Sequence, residues 1–282
     1  MKNPTSGELA VLRQRAERTF ARMPILPRRE DGSLTPEARL RFEISMEGIL
    51  HDHRAMSACV VLRRPSGGHD TFCYGKPRLL GSAAVTEETC FRVASVSKLV
   101  MTFGALALVE RGTLELDRDI SAYLGYSVRH PQHPDTPVTL RMLLTHTAAI
   151  RDEGNYGTRG MQKGCTLREL LENAENWLDA RPGETFHYSN LGAGVAGVTM
   201  ERAANRPFDE LMQELVFAPL SIRASYDPRR IAPRSDLANG YGMRFPVPIL
   251  KYNAQALARR KPEPFDPERD YFCAAGRLIT DS

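Results

Sequence analysis

Residues 91–100 read Phe-Arg-Val-Ala-Ser-Val-Ser-Lys-Leu-Val, and this stretch decides how the rest of the sequence is interpreted. The apolar run over residues 99–109 predicts a helix. Because positions i and i+3 share one face of a helix, the Ser95 hydroxyl and the Lys98 amine are expected to touch. A lysine with apolar neighbours loses hydration, which favours the neutral amine that a serine nucleophile needs as its base. The same residues also allow Ser95 simply to cap the helix while Lys98 extends into solvent.

A second short motif, Tyr188-Ser189-Asn190, lies further along the chain. Residues i and i+2 of an extended segment face the same way, so Tyr188 and Asn190 are expected to line one wall of a cleft. Taken alone, the motif also fits a turn before a helix, with Asn190 as the N-cap. Its order and spacing after Ser95 and Lys98 favour a role in the same site.

With both motifs, the chain resembles the superfamily of serine β-lactamases and penicillin-binding proteins, particularly its class C-like, D-alanyl-D-alanine carboxypeptidase-like and family VIII esterase branches. The resemblance extends over residues 56–282. The resembling segments are residues 91–98 and 106–117 (nucleophile helix and its exit), 138–147 (leucine-leucine-threonine-histidine-threonine segment) and 182–190 (approach to the tyrosine motif). His146 lies in the leucine-leucine-threonine-histidine-threonine segment, at a position treated as structural.

The resemblance implies an α/β (α+β) fold of the β-lactamase/transpeptidase type, with an antiparallel sheet flanked by helices beside an all-helical lobe. It also implies a serine hydrolase that forms an acyl-enzyme, with esterase, D-amino peptidase/carboxypeptidase or β-lactamase activity on a small ester, amide or β-lactam. In that mechanism Ser95 attacks the carbonyl, and neutral Lys98 and Tyr188 take and return the proton. The Ser95 backbone N–H then stabilises the oxyanion. Asn190 is expected to orient the substrate amide or the lysine, and neither a cofactor nor a metal ion is expected.

The sequence departs from the family in its third motif. Family members carry Lys-Thr-Gly or His-x-Gly on a later strand that supplies a second oxyanion donor, and neither pattern occurs in this sequence. Residues 273–280 resemble the segment that precedes that motif, so we expect a chain truncated before it, with C-terminal strands missing. Loss of one oxyanion donor lowers turnover about 100- to 1000-fold, so weak or no activity is expected. The first alternative function is therefore a non-catalytic or truncated penicillin-binding-like protein.

Two other motifs indicate different functions, and we interpret both as structural. Residues 192–197 match the dinucleotide fingerprint Gly-x-Gly-x-x-Gly, which makes a nucleotide-binding oxidoreductase a remote alternative. The residues before them are too polar for the buried strand that such a site requires, so the glycines are predicted to allow close helix packing. His51-Asp52-His53 resembles a metal-binding pair, but no third ligand lies nearby in the sequence.

Composition and charge limit the partners and the compartment. The net charge is +4 and the sequence has no basic block, so nucleic acid is not an expected partner. Five dispersed cysteines indicate thiols in a reducing compartment, although Cys59 and Cys73 on neighbouring predicted strands are able to meet. No signal peptide and no transmembrane stretch are found, which favours a cytoplasmic location. An incomplete N-terminus would instead allow a periplasmic or secreted location, and the oligomeric state stays open.

Local patterns predict the main elements and divide the chain. A helix is expected to begin at Thr35-Pro36 and to continue to residue 51, followed by a hairpin that turns at Gly67-Gly68. Further predicted helices cover residues 8–23, 139–144, 166–179, 191–204 and 208–216. The expected domains are an N-terminal helix and linker (1–35), the first part of the α/β lobe (36–90), the nucleophile helix and helical lobe (91–228), and a return toward the α/β lobe (229–282).

Overall fold

The computed structural model describes residues 27–281 apart from residues 66, 82, 155, 157–164, 232, 234, 235, 245, 246, 260–265 and 267–272. The helix predicted over residues 8–23 lies outside the described residues. The chain divides into two compact units, of which the first ends at Glu88 and the second spans Thr89–Asp281. The domain boundaries expected at residues 35, 90 and 228 stay predictions. Within the described ranges, no helix combines the length and the apolar character that a membrane crossing needs.

The first unit is built from one helix and one hairpin. Helix α1 spans Pro36–Asp52, and the Thr35 hydroxyl caps it by accepting from the Ala38 backbone N–H, as predicted. Strands β1 (Ser57–Arg63) and β2 (His69–Gly75) form the predicted antiparallel hairpin. Helix and hairpin are joined where the Phe42 ring packs edge-on against Phe72, with 5.8 Å between ring centroids.

Cys59 and Cys73 lie opposite each other on this hairpin, and their Sγ atoms are 3.6 Å apart without forming a disulfide. Burial raises the pKa of the Cys73 thiol to about 12, and the neighbouring Cys59 adds to the effect. Cys73 therefore stays protonated at neutral pH, where a thiol is a weak nucleophile. The predicted meeting of these two cysteines is confirmed.

The second unit contains the remaining elements. Its helices are α2 (Val96–Glu110), α3 (Ser121–Leu124), α4 (Leu140–Leu144), α5 (Leu167–Glu172), α6 (Asn190–Ala204), α7 (Phe208–Met212), α8 (Ala218–Leu220), α9 (Ala254–Ala258) and α10 (Cys273–Gly276). Its strands are β3 (Phe91–Arg92), β4 (Arg129–His130), β5 (His133–Pro137), β6 (Ala224–Ser225), β7 (Gly240–Arg244), β8 (Val247–Tyr252) and β9 (Ile279–Thr280). The named strands pair antiparallel, so the predicted mixture of helices and antiparallel strands is confirmed.

Several elements differ from the sequence-based prediction. Helix α5 ends at Glu172, well before residue 179, because Asn173 has extended backbone and its side chain caps a separate 3-10 turn at Ala174–Asn176. Helix α7 gives way to a π-helical turn over Gln213–Phe217. The β7–β8 hairpin was not predicted, because prolines interrupt its sequence and hide the alternation of a strand.

Strand β9 lies in the middle of a three-stranded sheet, and its pairing brings the residues just before it next to the nucleophile stretch. It pairs with β3 through Phe91 opposite Thr280, and with β6 through Ala224 opposite Thr280. Since β3 leads directly into α2, this pairing places residues 275–278 beside the start of that helix. The Val93 backbone N–H donates to the Leu278 carbonyl at 3.0 Å.

Helix α6 is the central helix of the second unit's core. Its residues from Leu191 to Glu201 are all buried, and it packs against helices α2, α3, α4, α7 and α10. A Cβ atom added to Gly197 would lie 2.6 Å from the Ala274 Cβ of α10. The predicted packing role of the glycines is therefore confirmed at Gly197. Residues 185–189, which precede the helix, form no strand, so the arrangement that a dinucleotide fingerprint requires is absent there.

Replacement of Gly197 by alanine is expected to destabilise the protein by about 1–3 kcal/mol, because the added methyl group overpacks the contact with Ala274. Chemical denaturation measures the change. Gly48→Ala is the matched control, since Gly48 also lies within a helix but its added Cβ meets nothing within 4 Å. The control is expected to gain up to about 1 kcal/mol from helix propensity. Equal effects of the two substitutions would contradict the packing role.

Candidate active site

The nucleophile turn connects β3 to α2 and places Ser95 at the N-cap of that helix. Ala94, immediately before it, has a φ of 46°, which is unusual for a residue with a side chain. The Ser95 side chain makes no capping hydrogen bond, so the simple capping arrangement is not the one observed. Among the described residues, no acceptor takes the Ser95 backbone N–H. Both the hydroxyl and this N–H are thus available for chemistry.

Lys98 is buried, with 8% of the residue exposed, so it does not extend into solvent. Its Nζ donates to Asn190 Oδ1 at 2.7 Å, to the Ala275 carbonyl at 2.6 Å and to Ser95 Oγ at 3.3 Å. Asn190 Oδ1 and the Ala275 carbonyl can only accept, whereas the Ser95 hydroxyl can both accept and donate. The burial comes from these distant segments, whereas the flanking Leu99 is 59% exposed.

Tyr188 completes the cluster around Ser95. Its hydroxyl donates to Ser95 Oγ at 2.7 Å, and the Lys98 Nζ lies 4.9 Å from the centre of its ring. A cation at this distance over an aromatic face is attracted to the ring. The structure therefore brings together all four side chains that the sequence singled out: Ser95, Lys98, Tyr188 and Asn190.

Helix α6 begins at Asn190, and its cap is Ser189 rather than Asn190. The Ser189 hydroxyl accepts from the Gly192 backbone N–H at 2.8 Å, so the Asn190 side chain is left to contact Lys98. The alternative in which Asn190 serves as the N-cap is therefore wrong. Its position just inside the helix fixes the direction in which the amide points.

Sequence reasoning missed two participants, Asp152 and the backbone carbonyl of Ala275. The Asp152 carboxylate contacts residues 189–191, and the Ala275 carbonyl accepts from Lys98. A backbone carbonyl has no residue-type signature, so no motif indicates it. One feature of the sequence points indirectly to a residue such as Asp152. Helix α6 has no acidic residue in its first turn, and a helix N-terminus is stabilised by a nearby negative charge.

His146 supports the tyrosine segment and does not contact the nucleophile in the described hydrogen bonds. Its Nδ1 accepts from the Ser189 backbone N–H at 3.3 Å, and its ring lies 4.7 Å from that of Tyr188. Burial lowers the pKa of His146, the positive charge of Lys98 lowers it further, and the Asp152 carboxylate opposes both. A neutral imidazole with an acceptor at Nδ1 fits these contacts.

A second layer of contacts holds the nucleophile turn from behind. The Ser97 hydroxyl accepts from the Leu278 backbone N–H at 3.1 Å, and the Tyr226 hydroxyl donates to the Ser97 carbonyl at 2.7 Å. The Arg92 Nε donates to the Gly276 carbonyl at 2.6 Å. Ser97 therefore faces the late segment of the chain and not the cluster around Ser95.

Comparisons with known proteins agree with this geometry. A family model described as Beta-lactamase matches residues 71–278. Esterase EstB of Burkholderia gladioli is 30% identical over 213 residues, which cover 68% of this chain and 53% of EstB. The D-alanyl-D-alanine-carboxypeptidase/endopeptidase AmpH of Escherichia coli (strain K12) is 29% identical over 161 residues, which cover 55% of this chain and 41% of AmpH. The chain thus spans about half the length of these relatives or less.

Similarity to solved structures extends to the fold. The octameric penicillin-binding protein homologue from Pyrococcus abyssi superposes with a TM-score of 0.67 at 21% identity, over 88% of this chain and 54% of that one. At this level of identity the likeness concerns the fold alone. It confirms the predicted β-lactamase/transpeptidase-like fold class.

His146→Asn is expected to flatten the decline of stability at acidic pH. Because the folded-state pKa of His146 lies below its usual 6.5, the unfolded chain binds the proton first and stability falls as pH falls below that value. Asparagine retains an acceptor, tolerates the φ of 57° found here and does not titrate. Urea unfolding at a series of pH values measures the slope. His51→Asn, at a side chain that is 85% exposed, is the control, and parallel profiles for His146→Asn and wild type would contradict the expectation.

Proposed function

The chain belongs to the beta-lactamase family, and from this premise we propose that it is a serine hydrolase that acts through an acyl-enzyme on Ser95. The observation that carries the proposal is the contact of Ser95 Oγ with two proton-handling groups, Tyr188 Oη at 2.7 Å and Lys98 Nζ at 3.3 Å. A serine hydroxyl needs such a neighbour to become a nucleophile. The substrates are carboxylic esters, amides or β-lactams, in keeping with relatives named as an esterase and as a carboxypeptidase/endopeptidase.

Tyr188 is the proton acceptor in this proposal. Its oxygen lies 2.7 Å from Ser95 Oγ and is closer to it than Lys98 Nζ, at 3.3 Å. Asn190 Oδ1 and the Ala275 carbonyl hold Lys98 beside both oxygens. The expectation from the sequence that a neutral Lys98 shares this proton stays a prediction.

The reaction then proceeds in two steps, formation of the acyl-enzyme and its hydrolysis. The Ser95 Oγ–carbonyl bond forms while its proton passes to the Tyr188 oxygen, and the developing oxyanion accepts from the Ser95 backbone N–H. The bond to the leaving group breaks as that group takes the proton from Tyr188. Water next attacks the acyl-enzyme, gives its proton to Tyr188 and releases the carboxylic acid, and Ser95 regains its proton. Asn190 holds Lys98 throughout.

The proposal is tested by intact-mass analysis after incubation with a fluorophosphonate and, separately, with a fluorescent penicillin. Wild type is expected to gain one probe per chain, and Ser95→Ala to gain none. Tyr188→Phe is expected to label about 10²- to 10⁴-fold more slowly, which is the usual contribution of a general base. The probe that reacts separates ester chemistry from β-lactam chemistry.

Two matched substitutions on the β1–β2 hairpin, Ser57→Ala and Tyr74→Phe, are the controls and are expected to label at the wild-type rate. Wild-type protein that is folded by circular dichroism and gains neither probe would overturn the proposal. The chain would then correspond to the non-catalytic, penicillin-binding-like alternative. Labelling that survives Ser95→Ala would assign the nucleophile to another residue.

A further inference from the structure

The Asp152 carboxylate accepts four hydrogen bonds from residues 189–191, at the tyrosine motif and the start of α6. Its Oδ1 accepts from the Ser189 hydroxyl at 2.8 Å and from the Leu191 backbone N–H at 2.9 Å. Its Oδ2 accepts from the Asn190 backbone N–H at 2.8 Å and from Asn190 Nδ2 at 2.7 Å. All four partners lie in three consecutive residues that are 37 to 39 positions away in the sequence.

Two of these contacts serve the helix itself. The first backbone N–H groups of a helix have no partner within it, and a carboxylate at that end satisfies them and complements the positive end of the helix dipole. Asp152 takes the N–H groups of Asn190 and Leu191, and Ser189 caps Gly192. This part of its role is structural and needs no catalytic function.

The contact with the Asn190 side chain has a different consequence. An amide presents an oxygen that accepts and a nitrogen that donates, and the two ends are interchangeable in shape. A carboxylate only accepts, so Asp152 takes the nitrogen end of the amide and leaves the oxygen end to accept from Lys98. Nδ2 points to Asp152 and Oδ1 points to Lys98, each at 2.7 Å.

The chain of contacts continues to the reacting oxygen. Asn190 Oδ1 fixes the position of Lys98 Nζ, which in turn donates to Ser95 Oγ. A single carboxylate that touches neither Ser95 nor Lys98 in the described hydrogen bonds thereby fixes the amide that holds Lys98 beside the serine.

We propose that Asp152 is a positioning residue that sets the polarity of the Asn190 amide and so orients Lys98 toward Ser95. This inference rests on the proposed serine hydrolase function. Asp152→Asn keeps the shape of the side chain but replaces one acceptor oxygen by a donor, so its four contacts cannot all form. The expected result is a labelling rate at Ser95 about 10- to 100-fold below wild type, in the range found when an orienting partner is removed.

Ser189→Ala is the matched control, since it removes one contact of Asp152 and the helix cap but leaves the Asn190 amide between its two partners. Both variants are expected to unfold at a lower urea concentration than wild type. Only Asp152→Asn is expected to slow labelling by the fluorophosphonate and to shift the Asn190 side-chain amide signals in a ¹H–¹⁵N spectrum. Ser189→Ala is expected to label within about twofold of wild type, a change too small to reflect a lost transition-state contact.

The possible outcomes separate the two proposals. Equal slowing by Asp152→Asn and Ser189→Ala would mean that Asp152 only stabilises the helix end, and the inference would be overturned. Wild-type labelling by Asp152→Asn, or an unshifted Asn190 amide, would overturn it as well and leave the hydrolase proposal intact. If wild type is not labelled, the hydrolase proposal fails and the positioning role fails with it.

Discussion

The burial of the Lys98 amine is the constraint on which the rest of the site depends. Removal of a polar group from water costs free energy, and the cost is offset only when hydrogen-bond partners surround the group. Lys98 obtains its acceptors from three separate stretches of the chain: the nucleophile turn, the start of α6 and the carbonyl of Ala275. Each stretch must therefore be placed within hydrogen-bond distance of one nitrogen atom.

Backbone conformations near the site show how firmly these stretches are held. Ala94, His146 and Ala149 all have φ between 46° and 59°, a region that costs a residue with a side chain about 1–2 kcal/mol. Hydrogen bonds beside each of them hold the conformation: Val93 N–H to the Leu278 carbonyl, His187 N–H to the His146 carbonyl and Leu178 N–H to the Ala149 carbonyl. Such local strain is typical of functional sites, where the surrounding structure over-determines the backbone.

The parts of the fold and site that the sequence predicts are those marked by local side-chain patterns, and the parts that it misses depend on tertiary contacts. Ser95, Lys98, Tyr188 and Asn190 carry their chemistry in their side chains and lie in short motifs, and the structure brings them together. The α1 helix and the β1–β2 hairpin were predictable because a cap and a glycine turn mark them locally. Asp152 lies in a loop without periodicity, and the Ala275 carbonyl is common to every residue type, so both depend on tertiary structure. The β7–β8 hairpin was missed for a similar reason, since its pairing outweighs the local preference of its prolines.

The contacts of Lys98 also fix when the site forms during synthesis of the chain. Its partners are 92 residues away at Asn190 and 177 residues away at Ala275. Closing the longer loop costs only about 0.6 kcal/mol more than closing the shorter one, so distance along the chain hardly weakens the final contact. The order of events is affected more strongly, because residues 275–278 leave the ribosome long after Ser95 and Lys98. Until they do, the Lys98 amine lacks one acceptor and the nucleophile turn lacks its support from Leu278. A nascent chain that has not reached these residues therefore carries the serine without an assembled site.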